Sequence, residues 1–420
     1  MQPETIHIDD LAAPRLTPLQ QQAIAAAEPV TMSEEAVLAA ARQATGLSDF
    51  GADDFRERLR IWLQSFDEDE GLGPLGRASL FADTVRHASA RLRLEDLLQR
   101  HPEIREQRID RPLIIAGLPR SGTTNLVNML AADPRLRSMP LWETMEPIPA
   151  ALDTPAPGAP DPRVVRTSQM WGAFEALLPL MPAMHEMAPD HVHEDIELQG
   201  ADFSSYLPEW TSRPHRWRDY YYAHDQTPHY AYGRRMLQAL TWLKGPDRWV
   251  LKSPPHMENL RPLRATYPDA TVVFTHRDPV AVLQSAITMI AYGDRIRRHS
   301  IDLRALASYW IDRVEHLLQA CVRDRDVWPA AQSMDVRFDE YMADPQGVLA
   351  RVYAMAGLPL TGETQARLNA YMDANPRGKH GRVAYDLHRD FGVDIAAVRE
   401  RFGFYYQRFS VRPERVAGEA

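Results

Sequence analysis

The stretch AGLPRSGTTNL, residues 116–126, follows an apolar run and combines two glycines, several hydroxyl residues and one arginine. Gly117 and Gly122 keep the spacing of a phosphate-binding loop, which turns backbone N–H groups inward and points a helix N-terminus at negative charge. A nucleoside triphosphatase carries lysine at the next position, where this chain has Thr123. The cation lies inside the loop instead, at Arg120. The stretch therefore predicts an anion site and argues against hydrolysis of ATP or GTP.

A second segment, THRDPVAVLQSA at 275–286, also follows an apolar run. That run lacks the terminal aspartate with which a nucleoside triphosphatase holds magnesium. Asp278 before proline predicts a helix N-cap, which places Arg277 at the mouth of a helix and Ser285 about two turns along it. An arginine fork and a hydroxyl suit a further phosphate. Two anion sites on one sheet edge indicate a metal-free site for a ligand with phosphates at both ends of a nucleoside.

The elements that would hold these segments alternate short apolar runs with longer helical patterns. Runs without polar alternation are typical of strands covered on both faces. The predicted strands are 112–117, 248–252, 271–276 and 333–338, and the predicted helices are 122–132, 256–266, 279–292 and 345–356. This order predicts an α/β fold, a P-loop-like parallel sheet flanked by helices, with ligands at the carboxyl ends of the strands.

Two further regions surround that core. Residues 1–108 form a predicted N-terminal helical region packed on the core domain at 109–420, with Ser33 as an N-cap and Gly46 as a helix stop. Between the first two predicted strands, a helical insertion at about 147–243 begins with a proline-rich segment. Such insertions commonly build substrate pockets and lids, so this one is expected to form the acceptor pocket.

The composition and net charge argue against several classes of function. A formal net charge of −9 argues against general affinity for nucleic acid or anionic lipid, although residues 210–235 mix aromatic and basic side chains. Cys321 is the only cysteine, so the chain has no intrachain disulfide. No run approaches the ~20 apolar residues of a transmembrane helix, and the N-terminus lacks signal-peptide features. The expected location is the bacterial cytoplasm, and a homodimer is possible.

The two anion motifs, LPRSGTT and HRDPVAVLQS, resemble those of the PAPS-dependent sulfotransferases, specifically the large bacterial branch related to tyrosylprotein sulfotransferases. PAPS is 3′-phosphoadenosine 5′-phosphosulfate. The resemblance runs from about Thr45 to Arg408 and includes PLWE at 140–143, WVLKSPPH at 249–256, YPDATVVFTHRDP at 267–279 and NPRGKHGRVAYDLHRDFGVD at 375–394. It implies PAPS as the sulfuryl donor, with no metal required.

The resemblance also implies roles for individual residues. Arg120 would stabilise the sulfuryl oxygens and the leaving phosphate, Lys252 would contact the transferring group, and Phe338 stands where relatives usually carry an adenine-contacting tyrosine. The first loop would hold the 5′-phosphosulfate and the arginine–serine element the 3′-phosphate. The implied donor-binding residues are Arg120, Ser121, Gly122, Thr123, Thr124, Arg277, Ser285, Phe338, Arg377, Gly378 and Lys379.

Two residues compete for the role of general base. In the tyrosylprotein branch a glutamate at the PLWE motif takes the acceptor proton, which implies Glu143; that branch also has an arginine where this chain has Met145. Cytosolic sulfotransferases use a histidine, and MAPDHVHEDIEL at 187–198 offers His193 together with His191, Glu194 and Asp195. Both assignments stay open on the sequence alone.

The sequence thus predicts a sulfotransferase that moves a sulfuryl group from PAPS to a hydroxyl or amine of a small-molecule, lipid or sugar acceptor, by in-line transfer with a general base. Two alternatives remain. One is a P-loop-type nucleotide kinase, which Thr123 and the missing magnesium aspartate oppose. The other is a non-catalytic module that binds adenosine bisphosphate.

Overall fold

The computed structural model describes residues 5–153, 155, 158–245, 247–376 and 378–418. The N-terminal part contains β1 (Thr5–Ile6), α1 (Pro18–Ala25), α2 (Glu34–Thr45), α3 (Phe55–Glu68) and α4 (Pro74–Arg100). The next elements are β2 (Leu113–Gly117), α5 (Thr123–Ala131), β3 (Leu136–Arg137) and α6 (Leu141–Met145). The insertion contributes α7 (Pro162–Leu177), α8 (Met181–Met184), α9 (Ile196–Gly200), α10 (His215–Ala223) and α11 (Thr227–Lys244).

The second half completes the sheet and its helical layers. Its first elements are β4 (Arg248–Lys252), α12 (Leu260–Thr266), β5 (Thr271–His276), α13 (Pro279–Arg297), α14 (Leu303–Asp324) and β6 (Ser333–Arg337). The last are α15 (Phe338–Ala343), α16 (Pro345–Ala356), α17 (Gly362–Ala374), β7 (Arg382–Val383), α18 (Leu387–Phe391), α19 (Ile395–Arg401) and α20 (Gly403–Phe409).

Five strands form a parallel sheet in the order β3-β4-β2-β5-β6, and β1 pairs with β7 in a separate two-stranded sheet. The predicted α/β fold with a parallel sheet is confirmed, as are the four predicted strands. The pattern did not predict β3, because a two-residue strand carries no periodicity. Since β3 precedes the long insertion, that insertion lies between the second and third strands of the sheet in chain order.

Alternate residues of the central strand pack on opposite faces, as the pleat of a strand requires. Leu113 and Ile115 belong to one hydrophobic cluster, with side chains of α5 and α16. Ile114 and Ala116 belong to another, with side chains of α11 to α14. All five residues of β2 are buried, which explains why this strand is apolar throughout.

The N-terminal helices share a third cluster with the insertion. Trp62 and Phe66 of α3 pack there with Trp217 and Tyr221 of α10. The predicted cap and stop of α2 are present: the Ser33 hydroxyl accepts from the Ala36 N–H, and Gly46 has φ of 71°. Because α3 and α4 pack against the insertion, they can contribute side chains to any pocket that the insertion forms.

Among the described helices, none is long and apolar enough to cross a membrane.

Candidate functional site

The first loop joins β2 to α5 through two residues with left-handed backbone conformation. Arg120 has φ of 64° and Gly122 has φ of 87°. A side chain at Gly117 is excluded, because a Cβ there would lie 1.8 Å from Thr275 Oγ1. The loop therefore packs tightly against the end of β5, which explains why glycine is required at position 117.

Ser121 supports this loop from inside. Its N–H donates to the Leu118 carbonyl at 3.2 Å, and its hydroxyl donates to the same carbonyl at 2.6 Å and lies 2.8 Å from Thr275 Oγ1. The backbone N–H and the hydroxyl of Ser121 are thus both engaged within the protein. The geometry gives Ser121 a role in shaping the loop, and it does not support the predicted direct contact with a donor.

The N-terminus of α5 opens toward a cation and a carboxylate. Gly122 precedes the helix without a side-chain cap, so the first-turn amides of Thr123 and Thr124 point at the same space. Lys252, at the end of β4, donates to Thr124 Oγ1 at 3.4 Å and to Glu194 Oε1 at 2.6 Å. One buried lysine therefore connects the helix mouth to an acidic side chain of the insertion.

The second predicted anion site lies beside the first. Arg277 donates to the Arg120 carbonyl at 2.6 Å, and Ser285 Oγ accepts from Arg120 Nε at 3.0 Å. Asp278 caps α13 as predicted, accepting from the Val280 N–H at 2.9 Å. The structure brings together the arginines and the serine that the two motifs supply.

Arg277 already holds an anion that the sequence did not reveal. Its Nε and Nη2 donate to the two carboxylate oxygens of Glu414 at 2.6 and 2.8 Å. The Glu414 N–H donates to Asp278 Oδ2 at 2.6 Å, and its carbonyl accepts from Arg399. The C-terminal segment thus presents a carboxylate to the arginine fork in a two-point contact.

The predicted adenine-contacting residue lies at the same place. The Phe338 ring is 4.1 Å from the Arg277 guanidinium carbon, and a Cβ at Gly122 would touch that ring at 3.4 Å. Phe338 begins α15 immediately after β6, so the sheet edge positions it.

The late basic loop closes over this region. Gly378 and Lys379 border the cavity described below, whereas Arg377 lies outside the described residues. His380 Nε2 lies 2.8 Å from Glu186 Oε1, and Lys379 Nζ lies 3.8 Å from the same oxygen. The carboxylate of Glu186 therefore ties this loop to the insertion.

Glu143 lies elsewhere. Its carboxylate is 1% exposed and pairs with Lys244 Nζ at 2.6 Å and Arg137 Nη2 at 3.3 Å. Lys244 in turn lies over the Trp142 ring. Glu143 is not among the described residues that line the cavity discussed below. The structure does not bring this predicted base to the other site residues.

A cavity of about 710 Å³, within the size range of small-molecule sites, is lined by many of the other predicted site residues, although Ser121, Lys252 and Ser285 are not among its lining residues. Its loop side includes Arg120, Thr123, Thr124, Arg277, Phe338 and Lys379. Its other side is largely aromatic and includes Trp62, Phe66, Trp171, Phe174 and Trp210. The cavity thus has an end rich in arginine and an end rich in aromatic side chains, and the N-terminal helices and the insertion build the latter.

Five histidines of the described chain line this cavity, and His185, His191 and His193 among them come from the insertion. Burial lowers the pKa of His185 well below its usual value, and the charges of Arg120 and Lys252 lower it further. Burial also lowers the pKa of His191, to about 4. His193 Nε2 lies 3.5 Å from Glu197 Oε1, and that carboxylate also accepts from Arg86. Burial alone would raise the pKa of Glu197, but these partners lower it.

Among the described residues, no group of three or more His, Cys, Asp or Glu side chains is arranged to hold a metal ion.

Residues 112–362 match the model of the sulfotransferase family, which covers more than half of the chain. The chain belongs to the sulfotransferase family. It is accordingly an enzyme that transfers a sulfuryl group. No curated protein gives a significant match.

Two solved mycobacterial structures are similar to this sulfotransferase over nearly its whole length. Sulfotransferase STF9 from Mycobacterium avium is 26% identical, and the match covers 92% of this chain and 99% of that chain with a TM-score of 0.80. Sulfotransferase STF1 from Mycobacterium tuberculosis H37Rv is 27% identical, and the match covers 89% and 98% with a TM-score of 0.74. The likeness includes the N-terminal helical region, which lies outside the family match.

The sequence of this sulfotransferase contained no sign of two groups at the site, His185 and Glu414. Glu194 was expected near the acceptor, but nothing in the sequence indicated that it meets Lys252. His185 carried no motif. Glu414 lies 137 residues from Arg277, so only the fold brings the two together.

Proposed function

We propose that this sulfotransferase moves a sulfuryl group from PAPS to a hydroxyl or amine of a small-molecule acceptor that binds in the aromatic end of the cavity. The observation that carries the proposal is the single cavity that joins the arginine-rich loop to an apolar pocket. Such a space can hold a nucleotide donor and an acceptor end to end, with their reacting atoms near Lys252 and Arg120.

The residues of the arginine-rich end fit such a donor. The Arg277 fork grips both oxygens of Glu414, and the same two donors match two oxygens of a phosphate. Phe338 presents a ring beside that fork, where it can contact a base. The open N-terminus of α5 and Arg120 provide a second place for negative charge. The donor supplies the activated sulfuryl group, and the protein supplies its binding and orientation.

The transfer itself requires a nucleophile, a leaving group and a base. The acceptor oxygen or nitrogen forms a bond to sulfur as the bond from sulfur to the phosphate oxygen breaks, and the electron pair of that bond leaves with the phosphate. Arg120 stabilises the charge that develops on the phosphate, and Lys252 stabilises the sulfuryl oxygens. The acceptor proton passes to the base.

We assign the base role to Glu194, with His193 as the alternative. Glu194 is the carboxylate that contacts Lys252, and Lys252 also reaches Thr124, so Glu194 lies nearest to the place of transfer. His193 turns toward Glu197. His185 suits the role poorly, because a pKa far below neutrality disfavours its protonated product. Glu143, paired with Lys244 and Arg137, is left with a structural role.

The kinase alternative has no support from the family match or from the loop. The cytoplasmic location, the bacterial source and the homodimer remain predictions.

The deciding experiment measures donor binding and transfer in the same protein. Calorimetry with adenosine 3′,5′-bisphosphate should show binding, and sulfur-labelled PAPS should label hydroxyl or amine compounds from a metabolite extract. Arg120→Ala should lower the transfer rate by about 10³, because it removes a charge aimed at the leaving phosphate. Arg108→Ala, at an exposed arginine outside the cavity, is the control and should transfer normally.

Tight binding of the bisphosphate without transfer to any compound would favour the non-catalytic module. Magnesium-dependent turnover of ATP without transfer from PAPS would favour the kinase.

A further inference from the structure

Helix α13 runs along the cavity, and its residue spacing gives the distance between the two ends. Ser285, early in the helix, bonds to Arg120 of the arginine-rich end. Met289 and Ile290 follow on the cavity wall, and Arg297, the last residue of the helix, lines the far side. A cation thus stands at each end of the same cavity.

The position of the Arg297 head group follows from its contact with Gly293. A Cβ at Gly293 would lie 2.5 Å from Arg297 Nη1, so the guanidinium folds back over this glycine. Gly293 is eight residues from Ser285, which is about 12 Å at ~1.5 Å per residue of an α-helix. The absence of a side chain at Gly293 makes room for the guanidinium at that distance from the arginine-rich end.

The Arg297 guanidinium makes no hydrogen bond or ion pair with any described residue. Its guanidinium carbon lies 5.8 Å from the centroid of the Phe174 ring. Burial lowers its pKa, which reflects the loss of water without a close partner. Five N–H donors of one cation therefore lie at the aromatic end of a cavity that is open to a ligand.

The acidic groups whose charges act on Arg297 pair with other arginines, although Asp294 Oδ1 has no hydrogen-bond partner among the described residues. Asp294 pairs with Arg213 at 2.5 Å, and Asp83 pairs with Arg86 at 3.4 Å. Asp83, whose side chain is 51% exposed where it lines the cavity, has its pKa raised by the surrounding protein, and burial raises the pKa of Asp294. Neither carboxylate satisfies Arg297.

The wall between the two ends includes a group of apolar side chains beside the charged Asp83 and Arg86. Trp62 and Phe66 of α3 face it from the N-terminal region, Phe174 comes from α7, and Met289 and Ile290 come from α13. A ligand that crosses this stretch buries hydrocarbon or aromatic surface, which favours binding through the hydrophobic effect.

We infer that the acceptor is an elongated apolar molecule with a nucleophilic hydroxyl or amine at one end and an anionic group, such as a carboxylate, at the other, and that Arg297 binds the anionic group. The inference rests on the proposed transfer reaction for the hydroxyl end. The anionic group at the other end is inferred from the unpartnered Arg297 guanidinium and from its distance along α13. Arg297 is thus a specificity-determining residue.

The test compares ω-hydroxydecanoate with its methyl ester, which has nearly the same length but no charge. Binding to the full-length protein without donor is followed by tryptophan fluorescence, since Trp62, Trp171 and Trp210 line the cavity. Wild type should bind the carboxylate about tenfold more tightly or better, as expected for one charge-assisted contact. Arg297→Gln should remove this preference, and Arg297→Lys should retain part of it.

Arg298→Gln is the matched control, because that neighbouring arginine pairs with Asp69 and does not line the cavity. It should keep the wild-type preference. Equal binding of acid and ester by wild type, no binding of the acid, or an unchanged preference in Arg297→Gln would overturn the inference. A parallel titration with adenosine 3′,5′-bisphosphate reports the donor end separately, so failure of the proposed donor would not be mistaken for failure of this site.

Discussion

The two ends of the cavity are built in different ways. At the donor end, the loop after β2 and the start of α13 each supply several site residues from one short segment, and neighbouring parallel strands bring these segments together. At the acceptor end, the lining side chains come from five helices that are distant in the sequence, α3, α4, α7, α8 and α13. The first end is specified locally, and the second is assembled only by the tertiary fold.

This difference explains what each end can recognise. A nucleotide phosphate needs backbone amides and arginines in fixed positions, and a short loop anchored on a strand provides them. An acceptor pocket needs shape, and its walls can change one helix at a time while the donor end stays the same. The comparison teaches that donor chemistry and acceptor choice are separable in this fold.

Among the variants that compare the two ends, the largest expected effect concerns Glu194. Glu194→Gln should lower kcat by about 10² with donor affinity retained, because the amide cannot take the acceptor proton. Turnover of PAPS with an acceptor identified from the extract measures the rate, and calorimetry measures donor affinity.

Glu143→Gln is the comparison variant, since both glutamates pair with a lysine but only Glu194 faces the cavity. It should keep near-normal turnover and lose thermal stability. The reverse result, a large loss of kcat in Glu143→Gln and none in Glu194→Gln, would return the base role to Glu143. A loss in His193→Gln alone would assign it to the histidine.

The sequence predicted the donor end better than the acceptor end. The strands at 248–252 and 271–276 were recognisable as uninterrupted apolar runs, and the cap at Asp278 by its position before proline. The loop at Arg120 was recognisable because backbone geometry imposes glycine and hydroxyl residues at fixed spacing. Such requirements act within about ten residues, so a sequence displays them.

The remaining features depend on contacts between distant segments. Arg277 meets Glu414 across 137 positions, and Lys244 meets Glu143 after the whole insertion. Arg297 reads from the sequence as an ordinary basic residue at a helix end. Which of these charges is paired and which faces a cavity depends on packing, and no local pattern encodes it.

A smaller effect concerns His87, which lies beneath the acceptor end. Its side chain is 3% exposed, with the Trp62 ring in edge contact and Arg86 3.3 Å away. Burial lowers its pKa to about 3, with a further contribution from the charge of Arg86. The folded protein therefore keeps this histidine neutral, whereas the unfolded chain takes up a proton near pH 6.5. The folded state consequently loses stability as the pH falls below 6.5.

From pH 6.5 to about 5 the loss should be about 2 kcal/mol in the free energy of unfolding, at ~1.4 kcal/mol per pH unit. Urea unfolding at several pH values measures it. His87→Gln should weaken the pH dependence by this amount. If His87→Gln and wild type lose stability in parallel over this range, His87 does not titrate as described.

The smallest expected effect returns to the donor end and concerns its internal anion. Glu414 occupies the Arg277 fork, so a phosphate that binds there has to displace a carboxylate. The pair is partly exposed, with Glu414 33% accessible, and a contact of this kind contributes at most about 1 kcal/mol. Glu414→Gln should therefore tighten binding of adenosine 3′,5′-bisphosphate by only severalfold, as measured by calorimetry.

Arg277→Ala is the comparison variant. It removes the guanidinium fork and should therefore weaken binding of adenosine 3′,5′-bisphosphate. If Glu414→Gln also weakens binding, the carboxylate positions Arg277 for the phosphate and does not compete with it. The two outcomes sharpen the contrast between the ends of the cavity. At the donor end, a ligand anion has to displace Glu414 from Arg277. At the acceptor end, Arg297 pairs with no protein anion among the described residues. Raising the salt concentration should reduce the effect of Glu414→Gln, since a partly exposed pair is screened.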